Sequence, residues 1–148
     1  MRISTKARYG LFAITAMAET AYLEQCTTVI SLSEKLNISK IYLEQVFGLL
    51  KRGGIVGSIK GAQGGYYLVK PIEDLTVYDV LVTVEPSLFE KTEATVGNEH
   101  KTTEEVIFSE VFDVLDNSVK ETLTSISFED IVNHIKKHGG NESYMYYL

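Results

Sequence analysis

Between Ser39 and Gln63 stand side chains whose types and spacing suit hydrogen bonding to nucleic acid. Ser39, Lys40, Tyr42, Glu44 and Gln45 crowd the opening turns of one short segment. A glutamine can read adenine with paired hydrogen bonds, and a glutamate can accept from the cytosine amino group. Lys51, Arg52 and Lys60 follow as phosphate partners, with Gly61, Gln63 and Gly64 in a turn whose glycines let backbone come close to a phosphate. Arg2, Lys6 and Arg8 add a second cationic group at the start of the chain. Enzyme chemistry is not expected. The chain shows no Ser/His/Asp set, no phosphate loop before a helix and no matched pair of carboxylates. The glycine turn follows one strand and enters another, so it is not a dinucleotide fingerprint.

Residues 31–70 supply the elements that must position these groups. Ser31 with Glu34 three positions on suggests a capping box for a short helix, with Leu32, Leu36 and Ile38 as its apolar side and Asn37 as a left-handed turn residue. Ser39 then caps a longer helix. Ile41, Leu43, Val46, Phe47, Leu49 and Leu50 are read as its inward side, and Gly53-Gly54 ends it after two cations that suit the dipole. Residues 55–59 and 66–69 have strand composition and flank the glycine turn. Helix, turn, helix and hairpin in that order make a winged helix-turn-helix, which puts one helix in the major groove of DNA. The expected class is mainly α with a small β-hairpin.

Charge supports the same reading once it is divided along the chain. The 148 residues sum to a net −6. Residues 1–70 carry a net +5 and residues 71–148 a net −11. Exposed charges act over about 8–10 Å at physiological salt, so the local basic field governs contact with phosphates. Apolar content of 45% and charged content of 23% are ordinary for a soluble globular protein. No apolar run reaches membrane-spanning length, and the single cysteine cannot form an internal disulfide, so a reducing cytoplasm is expected.

Three motifs also resemble a known family. Met1-Arg2-Ile3-Ser4-Thr5-Lys6-Ala7-Arg8-Tyr9-Gly10 is similar to its opening signature, with Ala7 where glycine is more usual. Tyr42-Leu43-Glu44-Gln45 and Gly61-Ala62-Gln63-Gly64-Gly65-Tyr66 resemble its two internal hallmarks. The family is the IscR, NsrR and CymR group of bacterial winged-helix transcription regulators. The resemblance implies a DNA-binding homodimer, most naturally a repressor on a palindromic operator. Many members hold an iron–sulfur cluster on three cysteines in the stretch matching residues 85–101. This chain has none there, so no cofactor and no metal are expected.

The remaining segments complete the plan of a winged domain over 1–84, a surface loop over 85–101 and a dimerisation region over 102–148. The first helix is expected over 4–22, capped by Ser4 or Thr5, with Leu11, Ile14, Ala18 and Ala21 or Tyr22 inward. Its three cations at a positive helix end suggest either a solvated basic end or a phosphate site, and the resemblance favours the latter. Thr76 with Asp79 caps a helix over 77–84, with Val77, Leu81 and Val84 inward and Pro86 ending it. A long helix over 102–126, capped by Thr102 or Thr103, carries Phe108, Phe112, Leu115, Val119 and Leu123 in one stripe. Such a stripe suits either an intrachain core or a twin helix, and the resemblance implies the dimer. Ser127 and Asp130 cap a last helix that Gly139-Gly140 should stop. His134 and His138 share one face, without the further ligands a metal needs.

Two features invite partner or signal chemistry. Cys26 is either an unreactive, partly buried small hydrophobe or a redox-sensing thiol. The tail Tyr144, Met145, Tyr146, Tyr147 and Leu148 either folds back onto the dimer or serves as a peptide ligand. It resembles the end of cysteine-metabolism repressors that pair with O-acetylserine sulfhydrylase, an enzyme that accepts peptides ending in isoleucine. Leu148 departs from that isoleucine.

Overall fold

The computed structural model describes residues 1–23, 26–95 and 97–146, with backbone only for Asn98 and residues 140–146. Helix α1 spans Thr5–Glu19 and starts where Ser4 Oγ accepts the Ala7 N–H at 3.1 Å. Its buried side is built from small residues, Ala7, Gly10, Ala13, Ala16 and Ala18, with Ile14 and Met17. Small side chains let a neighbouring helix come close: a Cβ on Gly10 would stand 3.2 Å from Val84. The helix ends three residues before the expected 22, at the cap residue Thr20, leaving Ala21 and Tyr22 exposed beyond it.

Helix α2, Val29–Leu36, begins earlier than its sequence suggests. Thr28 is the cap, accepting from Ser31 N, and the expected Ser31–Glu34 box does not form. Ser31 Oγ instead donates to the Thr28 carbonyl at 2.9 Å. Thr28 has the same capping chemistry as Ser31, and the paired backbone bonds of Thr27 with Tyr66 fix where the turn begins. Leu32 and Ile38 are buried, and Asn37 adopts φ 53°, the left-handed conformation expected of it.

Helix α3, Lys40–Arg52, is capped by Ser39 and buries Leu43, Val46, Phe47 and Leu50. Ile41 is the exception to the expected inward set, at 70% exposed. Two residues before Leu43 is about 200° around a helix, which puts Ile41 on the opposite face. Gly53 closes the helix, and Gly54 follows at φ 74°. Strands β1 (Val56–Ile59) and β2 (Gly65–Leu68) form the antiparallel hairpin, with Val56 opposite Leu68 and Gly57 opposite Tyr67. Helix α4, Val77–Val84, carries the Thr76–Asp79 capping box and buries Val77, Val80, Leu81 and Val84. Pro86 ends it and starts a short 3-10 turn over Pro86–Phe89.

The C-terminal region is one long helical path broken in register. Helix α5 (Lys101–Ile107) leads into a π turn at Phe108–Phe112 and then helix α6, Asp113–Thr124. The expected Thr102 or Thr103 cap is not used. His100 occupies the cap position, without a side-chain bond, because the backbone already turns helically there. No residue of this path is buried within one chain. Helix α7, Phe128–Tyr146, starts at a second capping box, with Ser127 Oγ 3.0 Å from Asp130 N and Asp130 Oδ2 3.1 Å from Ser127 N. Phe128 and Val132 join the same core as α1–α4. The expected stop at Gly139-Gly140 does not occur. Glycine weakens a helix by about 1 kcal/mol but ends it only when it turns left-handed, and Gly139 remains helical.

Candidate nucleic-acid interface

Helix α3 presents an outward stripe made of Ile41, Gln45, Gly48 and Arg52, spaced by four, three and four residues. Ile41, Gln45 and Arg52 are exposed, and space is open around Gly48, where an added Cβ would meet nothing within 4 Å. Glu44 lies beside the stripe, its carboxylate 3.7 Å from Lys40 Nζ. Both partners are about half exposed, so this i,i+4 pair is weak and readily exchanged for another partner. Lys51 is exposed, and Arg52 Nε donates to the Gly48 carbonyl at 3.3 Å.

The other two base-edge candidates are already engaged within the chain. Ser39 Oγ accepts the Tyr42 N–H at 3.4 Å, a long capping bond. Tyr42 is half-buried, its ring edge-to-face with Tyr9 of α1 at 5.2 Å. That contact ties α3 to the N-terminal cationic turn. Arg2 and Arg8 there are exposed and Lys6 is half-buried. Arg8 donates to Thr5 Oγ1 at 3.1 Å, and Ser4 Oγ donates to a carboxylate oxygen of Glu85. The helix end thus already has one internal anion, Glu85, at its cap.

The wing is anchored from behind. Phe47, fully buried on α3, packs its ring 4.7 Å from that of Tyr66 on β2. Tyr66 and Thr27 exchange two backbone bonds of 2.7 and 2.8 Å. At the tip, Lys60, Gly61 and Gln63 are exposed, and Gly61 adopts φ 111°. A Cβ on Gly64 would overlap the Ile59 carbonyl, so only glycine closes this turn. Cys26, partly exposed, places Sγ 3.2 Å from the Gln63 carbonyl and donates to it. Sequence reasoning missed Ile41 and Gly48 as outward positions. Their spacing from Gln45 was the available signal, masked because isoleucine reads as core.

The remaining candidates lie apart from this surface. Phe108, Phe112, Val119 and Leu123 are half-buried and Leu115 is 57% exposed, all on the long C-terminal path. The tail side chains Tyr144 to Leu148 lie outside the described residues. Among the described residues, no helix is long and apolar enough to cross a membrane.

Known proteins share this fold. Residues 3–134 match the model of the Rrf2 family, described as iron-dependent transcriptional regulators. The HTH-type transcriptional regulator CymR of Bacillus subtilis (strain 168) is 33% identical over 148 residues, all of both chains. The solved structure of CymR, the global cysteine regulator of B. subtilis, superposes with a TM-score of 0.72 at 31% identity, over 90% of this chain and 98% of that one. T. potens IscR gives 0.73 at 28%, over 93% and 90%. The oxidized form of Staphylococcus aureus CymR gives 0.66 at 28%, over 89% and 96%.

The iron in the family description does not fit the residues of this chain. Its one thiol, Cys26, bonds to the wing, and among the described residues no three His, Cys, Asp or Glu side chains converge. The family match nonetheless runs over residues 3–134, through the helix-turn-helix, its wing and the long C-terminal helical path. This chain belongs to the Rrf2 family and is a transcription regulator of the helix-turn-helix type, not an enzyme.

Proposed function

We propose that the chain acts as a homodimeric, sequence-specific repressor that lays α3 in the major groove of a palindromic operator. The outward Ile41–Gln45–Gly48–Arg52 stripe carries this reading. Gln45 reads an adenine, Glu44 accepts from a cytosine once it leaves Lys40, and Ile41 meets a thymine methyl. Gly48 leaves room for the edge of the groove. Arg2, Lys6, Arg8, Lys51, Arg52 and Lys60 hold phosphates, with the glycine tip of the wing on the neighbouring backbone. Ser39 and Tyr42 act by positioning the helix.

Titration of operator fragments tests the assignment. Gln45→Ala is expected to cost about 1–3 kcal/mol on the preferred site and to flatten preference at one base pair. Lys51→Ala is expected to weaken every DNA alike and to lower the slope of log K against log salt by about one unit. A Gln45→Ala loss that is equal on all sequences would remove its base-reading role.

Likeness to a global cysteine regulator supports control of cysteine metabolism, with the aromatic C-terminus docking on O-acetylserine sulfhydrylase. Calorimetry with the full chain and a chain ending at Ser143 is expected to show binding only for the former. A second reading makes Cys26 the signal input. Its bond to Gln63 joins the thiol to the wing, so a sulfenic acid or mixed disulfide there would free the tip. Peroxide should then release DNA from the natural chain but not from Cys26→Ser.

A further inference from the structure

Strand β2 has an inner edge toward β1 and an outer edge away from it. The Val69 N–H donates to the Ile55 carbonyl at 3.0 Å, on the inner side. Tyr66 faces the other way and exchanges two main-chain bonds of 2.7 and 2.8 Å with Thr27. Bonding direction alternates along an antiparallel strand, so Leu68, two residues beyond Tyr66, presents its N–H and C=O to the same outer edge. Among the described residues, no group bonds to either of them there.

A cavity of about 310 Å³ opens at this edge. Its walls include Met17 and Ile72, both buried, Tyr22 just beyond α1, and Leu68 itself. Lys70 and Glu73 line it too. Lys70 is half exposed and only loosely paired, 3.8 Å from Asp79, and Glu73 has no ion pair among the described residues. The volume is at the lower end of the roughly 300–1,000 Å³ of organic-ligand sites, which join apolar walls to a few placed polar groups. The cavity shares no lining residue with the long C-terminal helical path or with the outward stripe of α3.

The open edge selects a class of occupant. The N–H and C=O of one strand residue are matched by the C=O and N–H of a single facing residue, as Thr27 matches Tyr66. A free α-amino acid carries the same atoms in ionised form. Its carboxylate accepts from the Leu68 N–H and its ammonium donates to the Leu68 carbonyl, and such charge-assisted bonds are stronger than neutral ones. Lys70 and Glu73 offer one charge of each sign to the two ends. Met17, Ile72 and the Tyr22 ring leave apolar space for the side chain. We propose that this cavity binds an α-amino acid with a large apolar side chain, paired to the edge of Leu68. The proposal stands apart from the DNA reading and does not depend on it.

L-Leucine added to the full chain, labelled with nitrogen-15 and free of DNA, tests the site by two-dimensional NMR. The Leu68 amide is expected to shift saturably, with one site per chain, and its hydrogen exchange to slow. L-Leucinamide and N-acetyl-L-leucine each lose one charged end and should bind at least about tenfold more weakly. D-Leucine keeps both ends but turns its side chain from the apolar wall, so it should also bind weakly. Glu73→Gln, a change at an exposed side chain, should weaken L-leucine about tenfold and leave the rest of the spectrum unchanged. Absence of saturation, or shifts that bypass Leu68, would overturn the proposal. So would equal binding of L-leucine, D-leucine and L-leucinamide, or a Glu73→Gln chain that holds L-leucine as tightly as the natural one.

Discussion

Replacing Leu115 with glutamate is expected to convert the proposed dimer into a monomer. Leu115 is 57% exposed in the single chain, and Val106, Val111 and Val114 on the same path are 54%, 44% and 53% exposed. A helical path with no residue buried by its own chain gains little from apolar side chains unless a partner covers them. A fully covered leucine contributes about 1.5–3 kcal/mol, and two-fold symmetry counts each substitution twice. Only the 57% still exposed is left for a partner to cover, so the change should weaken association by about 2–3 kcal/mol, before the added cost of burying a carboxylate. That corresponds to at least about 30–100-fold in the dissociation constant. Sedimentation velocity at micromolar protein should show half the mass, with unchanged far-UV circular dichroism. Affinity for a palindromic operator should fall with it, because a monomer presents one recognition helix to one half-site. A variant that sediments as a dimer would place the interface on another face.

Phe47→Ala should have the largest effect on stability. Phe47 is fully buried, lies on the inner side of α3 and packs against Tyr66 of the wing. Truncating a buried phenylalanine costs about 3–5 kcal/mol, from lost transfer energy and from the cavity left behind. Domains hold about 5–15 kcal/mol in total, so a large share of the margin would go. At a fixed chain concentration the melting temperature should fall by roughly 10 °C, read by circular dichroism. The contact also joins the reading helix to the hairpin. Phe47→Leu keeps most of the volume and should fold well while losing the ring contact, so its operator affinity should drop more than its stability does. If it binds as tightly as the natural chain, the wing is held by the Thr27–Tyr66 backbone pair alone.

Much of the architecture was legible because its causes are local. The boxes at Thr76–Asp79 and Ser127–Asp130 close over three residues, and the inner side of α3 follows helical spacing. Asn37, Gly61 and Gly65 occupy backbone regions that most residues resist. The division of charge was legible too, because it follows from counting alone. Where two local solutions compete, the sequence is ambiguous. Thr28 and Ser31 are both good caps, and Gly139 can end a helix or merely weaken one.

The amino-acid sequence by itself determined the helix-turn-helix, the hairpin, the basic end and the lack of cluster-binding thiols. Tertiary structure decided which faces and partners those elements acquired. Ile41 turned outward because Leu43, Val46 and Phe47 claimed the core. Ser4 met Glu85 from 81 residues away, and Cys26 met Gln63 from 37. A hydrogen bond spanning three or four residues is written in their spacing. A contact between distant segments depends on how whole faces pack, and no local periodicity specifies that.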